Sequence, residues 1–131
     1  MNEIARTKDT ITTLKAAQKL IGTHEKWCKG SFARDIIGDK IGYNSPDACQ
    51  WCSLGAIRKS AIGQIFHIEE YLENAMYNKR IDQFYGTDFI VKGNDSRTTE
   101  HLHVMMAYDF AILMAQDDLK AAMKATKKEL K

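Results

Sequence analysis

No stretch of this chain approaches the roughly 20 consecutive apolar residues that a membrane-spanning helix needs, and its start, Met1-Asn2-Glu3-Ile4-Ala5-Arg6, lacks the apolar core of a secretory signal. A soluble, cytoplasmic protein with no membrane partner is the expectation. Proline occurs once and glycine eight times, too thinly for a linker or a low-complexity tract. An excess of one charge is missing too. Lysine and arginine number 19 against 17 acidic residues, a net +2 that argues against nucleic acid as a partner. The three cysteines, an odd number without a secretory signal, read as thiols of a reducing compartment. A length of 131 residues suits one domain, 1–131, with 115–131 as a charged C-terminal helix or tail.

What is present is helical spacing. In Thr10 to Ile21 the residues Ile11, Leu14, Ala17, Leu20 and Ile21 share a face, with Asp9 placed to cap the start and Gly22 to end it. From Thr23 to Asn44 the pattern breaks at Gly30, Gly38 and Gly42 around the apolar patch Ile36, Ile37 and Ile41, which suits a helical turn or a small hairpin. Gln64 to Asn78 repeats apolar residues at three and four. Lys79 to Gly86 adds a further turn, Asp88 to Val91 reads as extended, and Lys92 to Arg97 as a loop. From Thr99 a helix runs through Leu102, Met105, Met106, Ile112 and Leu113 into a lysine-rich end. The methionines there fill core gaps or, if exposed, mark a partner surface.

The densest information lies in Ser45 to Ala56. Ser45 is placed as N-cap, Pro46 at the first helical position and Asp47 in the first turn, so a helix is expected from here to Ser60. At 100° per residue Cys49, Cys52, Ser53, Ala56 and Ser60 fall on one face and Leu54, Ile57 and Ala61 on another. Apolar on most sides, this helix is expected to be the buried centre of an all-α bundle of four to five helices, with room for a short hairpin or extended segment.

Trp27, Ala33-Arg34-Asp35 with Gly38, Trp51-Cys52-Ser53-Leu54-Gly55-Ala56, and Asn94-Asp95 with Arg97-Thr98 ahead of a helix occur here in one order. In that order and spacing the chain resembles a family of small proteins of unknown function found in phage genomes and actinobacteria, from about Leu14 to Leu113. The resemblance brings no reaction with it; it implies a small phage or bacterial protein and a shared fold. The lysine-rich tail, Cys28 and Cys49 fall outside that pattern.

Four constellations carry chemistry on paper. His24, Cys28, Cys49 and Cys52 supply the ligand types and spacings of a tetrahedral zinc site, although buried packing is the commoner role for such cysteines. A redox role for Cys49-Gln50-Trp51-Cys52 needs a surrounding βαβ sheet that the pattern lacks. Asn94 to Thr99 reads first as a capped turn, with Ser96 or Thr98 as N-cap. Its helix start and the Arg97 guanidinium would also seat an anion, most of all if Trp27 or Trp51 lined the same cleft. Asp35 and Asp95 are candidate paired carboxylates or salt-bridge partners.

The ligand-binding candidates are therefore Trp27, Asp35, Trp51, Asn94, Asp95, Arg97 and Thr98. With no catalytic signature and no cofactor expected, the leading expectation is a non-enzymatic accessory protein. Its partner would be a host or phage protein, with host defence as one target, or a small anionic ligand. An enzyme acting on a phosphorylated or nucleotide-like compound and a structural zinc protein are the alternatives; a homo-oligomer is left open.

Overall fold

The computed structural model of the protein describes residues 2–78 and 89–129. Among them the order is α1 (Glu3–Leu20), a 3-10 turn (His24–Lys26), β1 (Ala33–Arg34), β2 (Lys40–Ile41), β3 (Gln50–Trp51), α2 (Ser53–Ser60), α3 (Ile65–Asn78), α4 (Phe89–Asp95) and α5 (His101–Glu129). The protein is mainly α-helical. Helix α1 packs on α5 and α2, and α3 packs on α5.

Helix α1 starts eight residues before its apolar period, which begins at Ile11. Asn2 caps it, accepting from the Ala5 N–H at 2.8 Å, so the cap expected at Asp9 is corrected. The early buried face is threonine: Thr7 and Thr10 return their hydroxyls to the Glu3 and Arg6 carbonyls one turn back. Thr13 instead accepts from the Ile62 N–H at 3.1 Å, tying α1 to the loop after α2. Threonines satisfied in this way are buried without an apolar signature.

The helix expected from Ser45 begins only at Ser53. Ser45-Pro46-Asp47 forms a turn, with the Ala48 N–H on the Ser45 carbonyl and the Asp47 N–H on the Ser45 hydroxyl. Proline pre-sets the same φ for a turn as for a first helical turn, so the local signal serves either. Gln50 and Trp51 then form β3, and Cys52 is the N-cap, its Sγ accepting from the Gly55 N–H at 3.2 Å. Cys49 is exposed and lies before the helix, so the expected face of small residues from Cys49 to Ser60 is not made.

The sheet has the order β2-β1-β3, both pairings antiparallel, with Ala33 opposite Ile41 and Trp51. Of the two forms expected for the glycine-broken segment, it takes the hairpin. Asp35 Oδ1 accepts from the Ile37 and Asp39 N–H groups, Gly38 has φ +90°, and the Arg34 guanidinium donates to the Gly38 carbonyl at 2.8 Å. Ile36 and Ile37 stand at the tip, 93% and 81% exposed.

Two later expectations also change, the extended run before Lys92 and the loop from Lys92, which is helical through Asp95. Residues Phe89 to Val91, read as extended, open α4, which carries Asn94 and Asp95 at its end. Helix α5 is continuous over 29 residues, including the charged end. The turn expected at Lys79 to Gly86 lies outside the described residues. The core gathers Leu14, Ile21, Ile57, Ile68, Leu72, Met76, Val104 and the fully buried Tyr108.

Candidate functional site

Asn94, the last residue but one of α4, is fully buried and tied on every side. Its Oδ1 accepts from Trp27 Nε1 at 2.6 Å, from the Ser53 N–H at 3.0 Å and from the Ser53 hydroxyl at 2.6 Å. Its Nδ2 donates to the Cys28 carbonyl and to Asp95 Oδ1. Asp95 in turn accepts from the Gly30 N–H at 2.9 Å, and Tyr108 donates its hydroxyl to the Ser53 carbonyl at 2.6 Å. One amide thus joins the Trp27–Gly30 segment, the start of α2 and the end of α4. Buried polar groups require such saturation.

Trp27 and Lys29, held by this knot, face the first turn of α5 across an open cavity of about 470 Å³, which His24, Thr99, Glu100, His101 and Leu102 also line. The three aromatic rings of the cavity wall enclose one corner: His24 to Trp27 6.1 Å, His24 to His101 6.0 Å, Trp27 to His101 5.9 Å between centroids. His101 Nε2 donates to the Ile21 carbonyl at 2.6 Å, which sets its tautomer. Lys29 Nζ lies 5.5 Å from the Trp27 ring centroid and donates to the Ser96 carbonyl at 2.7 Å. An ammonium has three donors, so this bond leaves others for a guest. The Glu100 N–H is capped by His103 Nδ1 at 2.9 Å.

Of the sequence-derived candidates, Trp27, Asn94 and Asp95 come together in the knot. Trp51 adjoins the knot through its backbone, its carbonyl accepting from the Cys28 N–H at 3.1 Å, while its indole is turned elsewhere, Nε1 donating to the Tyr43 carbonyl. Asp35 serves the hairpin turn, so Asp35 and Asp95 are each engaged by a different set of backbone amides. Arg97 and Thr98 are exposed, and the Thr98 hydroxyl pairs with that of Ser96 at 3.3 Å. Lys29, Thr99, Glu100 and His101 were not among the candidates; no spacing in the sequence links Lys29 to a helix start some 70 residues on.

The proposed zinc set does not assemble. Among the described residues no three His, Cys, Asp or Glu side chains are placed to hold a metal ion. Burial, followed by the neighbouring Cys52, pushes the Cys28 thiol up to about 12, and burial raises Cys52 as well. Both stay protonated at neutral pH, which opposes thiolate chemistry.

These features define a mainly helical protein with a polar knot at its centre and, beside it, an aromatic-walled cleft that carries Lys29 and Glu100. Residues 5–114 match the family of unknown function DUF6197, and the chain belongs to that family. No curated protein matches it, and no solved structure does. Among the described residues no helix is long and apolar enough to cross a membrane.

Proposed function

We propose that this is a non-enzymatic cytoplasmic binding protein whose cleft at the start of α5 takes a small anionic ligand, a phosphate or carboxylate attached to a planar group. The observation that carries this reading is the meeting of Lys29, the Trp27, His24 and His101 rings and the first turn of α5 around one cavity of about 470 Å³. That volume is within the roughly 300–1,000 Å³ of small-molecule sites. The positive end of a 29-residue helix and a lysine ammonium favour an anion, and the rings offer a wall to a flat group. Glu100 at the rim opposes a second negative charge. In a phage setting, such a protein would act on a host-defence ligand or partner.

The test is titration with inorganic phosphate and with a nucleoside monophosphate, followed by tryptophan fluorescence. Saturable quenching is expected, weakened about tenfold by Lys29→Met, the size of one charge-assisted hydrogen bond. Absence of quenching, or a Lys29→Met protein that binds as well as the parent, would reject the reading.

A partner protein is the second reading, and one observation favours it. Leu102, Met106 and Leu113 lie along one side of α5 and are 59%, 44% and 52% exposed. Their spacing of four and seven makes a stripe on the helix surface of the kind that marks interaction sites.

A further inference from the structure

We propose that this chain pairs with a second copy of itself through α5, the two helices antiparallel, so that the lysine-bearing end of each lies along the apolar and acidic stripe at the start of the other. The proposal rests on the partner-protein reading of that stripe and names the partner. Leu102, Met106, Asp109 and Leu113 are exposed on one side of α5, and the last three border an open groove of about 290 Å³. At 100° per residue Lys120, Met123 and Lys127, exposed as well, continue the same side within an arc of about 100°.

The two halves of this stripe differ in character. The first carries large apolar side chains and one carboxylate; the second carries ammonium groups and one methionine. Asp109 accepts from Gln18 Nε2 at 2.7 Å, and a carboxylate offers about four acceptor positions, so a cation can still reach it. Among the described residues no ion pair engages Lys120, Lys124 or Lys127. Every residue from Lys124 to Glu129 is exposed, so the end of α5 projects from the body as a bare arm. A basic peptide would answer the first half of the stripe and leave the second uncovered, and an acidic one the reverse. A reversed copy of the same helix answers both.

Charge fixes the direction. Parallel helices would set Asp109 against its own copy and each lysine against its own. In an antiparallel pair, residues whose numbers share one sum lie opposite each other. With Asp109 opposite Lys120, the same register sets Met106 opposite Met123, Leu113 opposite Gln116 and Leu102 opposite Lys127. Two-fold symmetry makes each contact twice, and no like charges face each other in these pairs. The Lys127 stem covers Leu102 while its ammonium stays in water. The overlap from Leu102 to Lys127 spans about 38 Å at 1.5 Å per residue. Its apolar contact is confined to the methionines and Leu113, so the interface is small and the pairing weak, with a Kd on the order of 100 μM. At about 5 μM the chain is then monomeric, and its melting is that of the monomer.

The experiment is sedimentation equilibrium of the whole chain from about 5 μM to about 1 mM, with NMR shifts followed over the same range. A monomer–dimer equilibrium is expected, with concentration-dependent shifts at Leu102, Met106, Leu113 and Met123. Asp109→Lys and Lys120→Asp, both at exposed positions, should each weaken it at least about tenfold, because like charges then meet twice. The double variant Asp109→Lys/Lys120→Asp should return it to within about threefold of the parent. An undiminished dimer in either single variant, or no recovery in the double variant, overturns the antiparallel pairing. The absence of any dimer at about 1 mM overturns self-pairing and leaves the stripe to a different protein. A dimer whose shifts avoid the stripe overturns both self-pairing through α5 and the partner-protein reading of that face.

Discussion

Asn94 and Gly55 each do something no other side chain could do in their place. Asn94→Ala strands Trp27 Nε1, the Ser53 N–H and the Cys28 carbonyl in a buried region. At about 1–3 kcal/mol for each unsatisfied group, a loss of at least about 3 kcal/mol is expected in urea unfolding. Arg97→Ala, at an exposed position three residues away, should change stability by less than about 0.5 kcal/mol. A similar loss in both variants would contradict the knot. Gly55 answers to space instead: a Cβ there would sit 2.1 Å from the Phe32 carbonyl oxygen, a backbone atom that cannot swing away. Gly55→Ala is therefore expected to destabilise by about 3 kcal/mol, at the upper end of overpacking costs. A wild-type melting midpoint would show that the backbone at Phe32 relaxes.

At the scale of the element, boundaries were set by partners from other parts of the chain. The early face of α1 is buried yet carries threonines, so its apolar period begins at Ile11, well inside the helix. At α2 the only serine-proline-aspartate signal belongs to a turn, and a cysteine supplies the cap. Cys52→Ala removes that acceptor and should cost about 1 kcal/mol, whereas Cys52→Ser keeps an oxygen for the Gly55 N–H and should retain most of it. Comparing the two melting midpoints separates the cap from the thiol's packing; equal losses would assign the whole effect to packing. The stripe on α5 is also an element-scale feature. Leu102, Met106 and Leu113 are indistinguishable in type from the buried Val104 and Ile112, and only the placement of α1 and α3 decides which side of the helix is covered.

For the whole molecule, buried titratable groups confine stability to a pH window. His67 has its folded pKa lowered by burial and Arg6, so its contribution is complete above the ordinary 6.5 and is lost as the pH falls below it. Cys28, Cys52, Tyr71 and Tyr108 all have raised values, with burial the first cause in each. Their contribution is complete below the ordinary thiol value of 9.0 and phenol value of 10.0, and is lost as the pH rises through those of the fold. Glu73, raised by burial and by Glu70 and Glu69, opposes His67 on the acid side. Urea midpoints should be level between about pH 6.5 and 9 and fall on the alkaline side; stability that still climbs above pH 10 would show the thiols and phenols to be solvated in the fold. The far end of α5, exposed from Lys124 to Glu129, lies beyond the residues matched by the family. A chain truncated after Lys120 should keep its melting temperature within about 2 °C, as expected where little surface is buried.

The sequence by itself determined the helical class, the stretches that become α3 and most of α5, the break among the glycines, which it left open between a helical turn and a hairpin, and membership of a family of unknown function. These are legible because repeats at three and four, turn residues and motif order are properties of neighbours along the chain. Tertiary structure alone decided that Ser45-Pro46-Asp47 is a turn, that Asn94 is a buried hub, and that Lys29 and His101 meet at one cleft. Hydrogen bonds and charges act through space over a few ångströms, and residues some 50 to 70 positions apart leave no period in the sequence when the fold brings them together.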